Sequence, residues 1–259
     1  MNEIRSAWKR IAGFCLICGL SAGTAFAALP EGATPLAYIQ GNKTVYLDTG
    51  WTIRPNNDVF EAVVEIVDNT TAAFWCSRAH VGGKHLSSCT MFDYGTNYVR
   101  ADYGTATSEI SRNIKLTAGC PYTITVSNGT TTVSNGARVD IPANPDFTET
   151  PGPLILYASG EYADGVFQSV ANIGNHRLRS FKIWRDGVLV RDFVPVRTAD
   201  NVVTLADAVE GGVLTPLGTG AFGASNARDM TVSPLAATVS PQPRRRRRAY
   251  MVATCRVRA

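Results

Sequence analysis

The sequence predicts an all-β protein folded as a two-sheet antiparallel sandwich, and three observations carry that prediction. Apolar residues alternate with polar ones at period two, as in Phe60, Ala62, Val64 and Ile66 and again in Tyr122, Ile124 and Val126. Asn128-Gly129 and Asp186-Gly187 stand between alternating segments, where residues that tolerate positive φ make two-residue hairpin turns. No stretch shows sustained helical periodicity.

Met1–Ala27 reads as a secretory signal: Arg5, Lys9 and Arg10 lead an apolar run, Ile11–Leu20, and Ala25-Phe26-Ala27 is a small-x-small cleavage site. The run is too short to span a bilayer, and no later segment is apolar enough. The expected product is exported, whether extracellular, periplasmic or at the cell surface. Of the formal net charge of +4, the signal contributes +2 and the tail from Asn226 contributes +7, leaving −5 for residues 28–225. That mildly acidic span argues against a nucleic-acid-binding fold. Residues 28–225 form the predicted domain and 226–259 a disordered basic tail. Arg244–Arg248 in the tail suits contact with an anionic surface through charge alone.

Taken in order, Leu36–Trp51 suggests two short strands broken at Gly41-Asn42, and the strand carrying Phe60 to Ile66 closes at Asp68-Asn69. Ala72–Ser77 and Cys89–Tyr94 read as neighbours joined by a loop at Gly82-Gly83. In Asn97–Tyr103, Tyr98, Arg100 and Asp102 share one face, expected to be wet, and Val99, Ala101 and Tyr103 the other. Asn128-Gly129 and Asn135-Gly136 turn the chain through Thr130–Val133 toward Ala137–Ile141. The prolines of Pro142–Pro153 mark a surface connection. Leu154–Ala158 resumes as a strand, and Gly160–Asn175 reads as a loop with room for a helical turn. Phe181 and Ile183 are expected to face the core and Trp184 the outside, with Val188–Val194 returning after Asp186-Gly187.

The two ends of this span carry a family pattern. Tyr38, Ile39, Tyr46, Asp48, Thr49 and Gly50 open it; Phe181–Ile183, Leu189–Pro195, Asp207 and Gly218–Phe222 close it. In kind and order these residues resemble the bacterial and phage laminin-G-like, concanavalin A-like lectin domains, from about Leu36 to Ser225. The resemblance implies a jelly-roll sandwich, with relatives that include sugar binders, adhesion modules and glucanases. One departure is Val196, where many members have a cysteine.

Four cysteines follow the signal: Cys76, Cys89, Cys120 and Cys255. Export permits disulfides, and four cysteines allow three complete pairings. Cys76, His80, His85 and Cys89 form a symmetric C-x3-H-x4-H-x3-C pattern. We read Cys76 and Cys89 as a bridge closing a short loop, with a structural zinc as the alternative. Nothing near Cys120 and Cys255 selects their pairing.

Glycosidase chemistry needs carboxyl groups held about 5–10 Å apart across a cleft. The Glu-x-Asp-x-x-Glu pattern of glucanases with this fold is absent, and Glu61 and Glu65 read as a solvated strand surface. His80, His85 and His176 lie in loop-like contexts without a nucleophile elbow. The expectation is a non-enzymatic module that binds a glycan or an extracellular or cell-envelope protein. An aromatic ring beside polar groups suits a sugar, which selects Tyr98, Arg100 and Asp102, with Trp75 as a further platform. Many laminin-G-like domains hold calcium through loop carboxylates. Asp93, Asp164, Asp186 and Asp200 are available for it, with no spacing that marks a cage.

Overall fold

A computed structural model describes residues 29–68, 70–81, 84–93, 98–104, 109–110, 115–141 and 147–225. The signal, the tail with Arg244–Arg248 and Cys255, and the Gly82-Gly83 turn lie outside the described residues. Strands β1 to β7 are Thr34–Pro35, Ile39–Gln40, Val45–Asp48, Asp58–Glu65, Ala72–Val81, Lys84–Asp93 and Tyr98–Tyr103. Then β8 to β13 are Glu109–Ile110, Pro121–Ser127, Thr130–Val133, Arg138–Asp140, Ile155–Leu156 and Ser159–Ala163. Finally β14 to β19 are Val166–Ala171, Arg177–Arg185, Val188–Arg197, Val203–Asp207, Pro216–Gly218 and Gly223–Ala224. Among the described residues there is no helix, and so none long and apolar enough to cross a membrane.

These strands make the expected two-sheet jelly-roll sandwich. The first sheet runs β1-β16-β15-β4-β9-β10-β11, with β17 on β16 and β2 joining β15 to β19. The second runs β18-β3-β12-β5-β6-β7-β8, with the β13–β14 pair attached to β5. Every pairing is antiparallel except that of β13 with β5, which is parallel. The chain crosses repeatedly between sheets, and the two ends of the described span meet: β18 pairs with β3 and β19 with β2.

Period-two alternation becomes burial because successive strand residues face opposite ways. Phe60, Ala62 and Val64 of β4 and Ile124 and Val126 of β9 face inward, while Val59, Glu61, Val63, Thr123 and Thr125 between them are partly exposed. Phe181 and Ile183 are fully buried and Trp184 is half-buried, as expected. At the centre, Trp75 of the second sheet meets Phe60 edge-on at 5.6 Å between centroids and Phe181 at 5.5 Å. Such contacts add to the area each ring removes from water.

Hairpin turns follow their dipeptides. Asp186 and Gly187 take φ of 51° and 79°, and Asn128 and Gly129 take 43° and 77°, the left-handed pair a two-residue turn demands. The same chemistry at Asp164-Gly165, with φ of 49° and 74°, corrects the loop reading of Gly160–Asn175: this stretch is the β13–β14 hairpin. The preceding strand is shorter than Leu154–Ala158, because Tyr157 turns the chain at φ 69° after Ile155–Leu156.

Two further readings change. Glu65 is not a solvated surface residue: its side chain is 6% exposed and holds Arg177 at 2.6 Å and Arg179 at 2.7 Å. His80 and His85 lie on strands β5 and β6 rather than in a loop, because pairing extends to Val81↔Lys84. His176 does lie in the loop just before β15, yet it is 1% exposed. Its ring stacks on Tyr157 at 4.2 Å and meets Phe74 edge-on at 5.1 Å.

Candidate functional site: an open groove between edge strands

The predicted face on β7 forms, but its Asp102 end is covered. Tyr98, Arg100 and Asp102 do share one side, with Tyr98 and Arg100 half-buried and Lys115 6.0 Å from the Tyr98 ring centroid. Asp102, expected to be wet, is 8% exposed, and its Oδ1 has no hydrogen-bond partner among the described residues. The cause is its row: Ile155, Cys76, Cys89 and Asp102 stand opposite one another across four strands. Ala73, Cys76, Cys89 and Met91 form a small apolar cluster there, outside the main core.

Trp75 is no platform. Its side chain is 0% exposed in the core, one residue from Cys76 and therefore on the opposite face of β5. An aromatic beside polar residues in sequence does not reveal which side of its strand the second sheet covers.

The Cys76–His80–His85–Cys89 pattern resolves by register. Cys76 is paired with Cys89 and His80 with His85. Four residues of strand at ~3.3 Å each put the two pairs about 13 Å apart, whereas zinc holds its ligands at about 2.0–2.3 Å, so one ion cannot take all four. Both cysteines are buried free thiols in this structure, directly opposed across β5 and β6. Cys120 is buried in the main core. Asp164 and Asp186 sit in separate hairpin turns and Asp200 in another turn. Among the described residues no group of three or more His, Cys, Asp or Glu gathers as a metal cage.

What the chain does offer is an open groove of about 690 Å³ on the sandwich's side. One wall is Arg197 at the end of β16 with Asn201, Val202 and Val203 leading into β17; the other is Pro216 of β18 with the 220–224 segment. β17 borders the first sheet and β18 the second. Residues 213–214 bridge part of the way: Leu214 N–H donates to the Leu205 carbonyl, and Thr204 Oγ1 donates to the Leu214 carbonyl at 2.6 Å. Beside that link lies the groove, its far wall made of Pro216 from the second sheet and the 220–224 segment, whose Gly223–Ala224 is β19 of the first.

Each wall is held by local chemistry. Arg197 Nη1 donates to Asn201 Oδ1 at 2.7 Å, and Val202 N–H donates to Thr198 Oγ1, which fixes the turn before β17. On the other wall, Gly218 takes φ 98°, Thr219 N–H donates to the Thr44 carbonyl, and Asn42 Nδ2 donates to the Ala221 carbonyl at 3.0 Å. Phe222, 5% exposed, anchors this segment against Tyr157 at 4.8 Å.

The groove's surroundings are apolar: Val202 is 42%, Val213 43% and Leu217 37% exposed. None of the described lining residues is an acid, histidine, cysteine, serine, lysine or tyrosine. The groove therefore has no side chain suited to general acid–base or nucleophilic catalysis. None of the groove's lining residues is among the site residues expected from the sequence. The available signal was Val202, an apolar residue in the Asp200-Asn201 turn.

No family model and no curated protein matches the sequence. Among solved structures the chain is similar to chicken galectin 2, at 11% identity and TM-score 0.34, over 54% of this chain and 98% of that one. It is similar to a putative carbohydrate binding protein from Bacteroides ovatus, at 9% identity and TM-score 0.41, over 73% of this chain and 62% of that one. A third is the SAP-like pentraxin of Limulus polyphemus, at 11% identity and TM-score 0.40, over 78% of this chain and 94% of that one.

Proposed function

We propose that this protein is an exported, non-enzymatic binding module of the laminin-G-like, concanavalin A-like kind, which recognises a glycan or protein surface through the edge groove. The groove carries the reading, since it is the concave surface that a purely structural component does not need. Its walls suit binding: apolar side chains supply contact area, and the Arg197–Asn201 pair supplies directional polar groups. Its lining supports the non-enzymatic reading, because it lacks the groups that move protons or attack bonds. Calcium is not needed for this mode, and Asp164, Asp186 and Asp200 stay outside it.

The test screens the full chain on a glycan array and against immobilised cell-envelope proteins, beside Arg197→Ala and Val202→Asp. Both positions are partly or fully exposed, so the variants should fold as the parent does and lose at least tenfold in affinity. Binding that survives both substitutions would overturn the groove as the site. Absence of binding on either panel would favour a structural or adhesion component of a surface assembly.

A further inference from the structure

Cys76 and Cys89 are directly opposed across β5 and β6. Opposed residues in an antiparallel pair have Cα atoms about 4.5 or 5.5 Å apart, according to whether the pair is hydrogen-bonded. Both spacings fall within the roughly 4.4–6.8 Å that a disulfide spans. Both side chains leave the sheet on the same face and belong to one small buried cluster. Closing a bond between them asks for no backbone movement.

We propose that Cys76 and Cys89 are a dithiol/disulfide couple, reduced in this structure, that closes into a cross-strand bond before the β13–β14 hairpin seals it. The oxidant is a disulfide of the glutathione class. One cysteine thiolate attacks a sulfur of the oxidised reagent, breaking its S–S bond and releasing one thiolate. The second cysteine thiolate then attacks the protein sulfur of the mixed disulfide, forming Cys76–Cys89 and releasing the second. Two electrons pass from the pair to the reagent, and the two protons lost by the cysteines end on the two released thiols.

The order of events follows from what lies over the pair. Ser159, at the start of β13, puts its Oγ 3.9 Å from Cys89 Sγ. A Cβ on Gly160 would come 2.5 Å from Cγ1 of Ile155, so this strand presses on the row that contains Cys76. Under that cover Cys76 is 0% and Cys89 2% exposed. Burial pushes the Cys76 thiol well up, the hydrogen bond to Cys89 adds to it, and the Asp102 carboxylate in the same row opposes a second negative charge. Thiol exchange needs a thiolate and an approach path, and the folded chain denies both. The exchange therefore belongs to the folding chain, and once made the bond is shielded from reductants.

The experiment unfolds and reduces the full chain, then refolds it in a buffer of oxidised and reduced glutathione. Alkylation under denaturing conditions and peptide mapping read the result. The expected product links the Cys76 and Cys89 peptides. Folded reduced protein in the same buffer should form that link at least tenfold more slowly than refolding protein. Dithiothreitol should leave the link intact in the native protein and reduce it after unfolding. Alkylation of both cysteines after oxidative refolding, or linkage of either to Cys120 or Cys255, would overturn the couple. Equal rates from folded and refolding protein would overturn the seal. Every one of these outcomes is independent of what the groove binds.

Discussion

Asp58 shows how a surface-looking residue becomes an anchor. Its side chain is 0% exposed and takes two bonds from Arg185, Nε at 2.7 Å and Nη2 at 2.8 Å, one from Trp51 Nε1 at 3.1 Å and one from the Arg54 N–H. Arg185 and Arg191 both lie against the Trp51 ring, at 4.2 and 4.6 Å from its centroid. Removing one partner of a buried ion pair leaves an uncompensated charge. Arg185→Met should therefore cost roughly 3–5 kcal/mol in a denaturant titration. His176 sets a pH dependence. Burial lowers its pKa from 6.5 to about 3, and neither ring nitrogen has a hydrogen-bond partner among the described residues. Below pH 6.5 the unfolded imidazole takes up a proton that the folded one refuses until about pH 3. Stability attributable to His176 is thus present above that window and is lost as pH falls through it, at about 1.4 kcal/mol per pH unit. Denaturant midpoints at pH 7 and pH 4.5 should differ less in His176→Phe than in the parent.

Among elements, the hairpins divide into turns that need glycine for φ and strands that need it for space. At Gly187, φ is 79° and nothing lies within 4 Å of the missing Cβ, so Gly187→Ala meets only backbone strain. That strain is about 1–2 kcal/mol. Gly160 has no such φ, and its difficulty is the 2.5 Å approach to Ile155. Gly160→Ala should cost about 1–3 kcal/mol through overpacking, and combining it with Ile155→Ala, which removes the clashing Cγ1, should cost less than the sum of the two single changes, whereas no neighbouring truncation should rescue Gly187→Ala. Calorimetry on the four proteins separates the two causes. For the β5–β6 hairpin, oxidising Cys76 and Cys89 should add about 3 kcal/mol by the loop-entropy model for a loop near fifteen residues, read as the difference between oxidised and reduced forms.

The whole molecule is closed by pairing residues from the two ends of the described span. The Tyr38–Gly50 motif supplies β2 and β3, and Pro216–Ala224 supplies their partners β18 and β19, with Ser225 Oγ accepting from the Ala37 N–H at 2.9 Å. Asp48 Oδ1 accepts from the Gly50 N–H and Thr49 Oγ1 donates to the Leu154 carbonyl, so that motif serves the turn after β3. Deleting everything after Thr215 would uncover β3 and take Phe222 from Tyr157. The shortened chain should lose the single cooperative thermal transition expected of the parent. Truncation at Ser240 is a different cut: it removes Arg244–Arg248 and should abolish salt-sensitive binding to anionic vesicles while leaving groove binding unchanged.

Local rules made the elements legible. Alternation marked β4, β9 and β15, and Asn-Gly and Asp-Gly marked turns, because side-chain direction and positive φ depend on a few neighbouring residues. Asp164-Gly165 carried the same signal, obscured by the partly polar, exposed β14 that follows it. The candidate site was less legible, since its walls, the segment leading into β17 and the 216–224 stretch, face each other only in the folded chain. By itself the sequence determined which segments are strands, where the chain turns and that Phe181 faces in while Trp184 does not. Only the tertiary structure decided that Trp75 is core, that Asp102 is covered, that Ser159 lies against the Cys76–Cys89 pair and that the open groove lies beside Arg197. Those outcomes depend on register and on the packing of one sheet against another, contacts between residues far apart in the chain that no local pattern encodes.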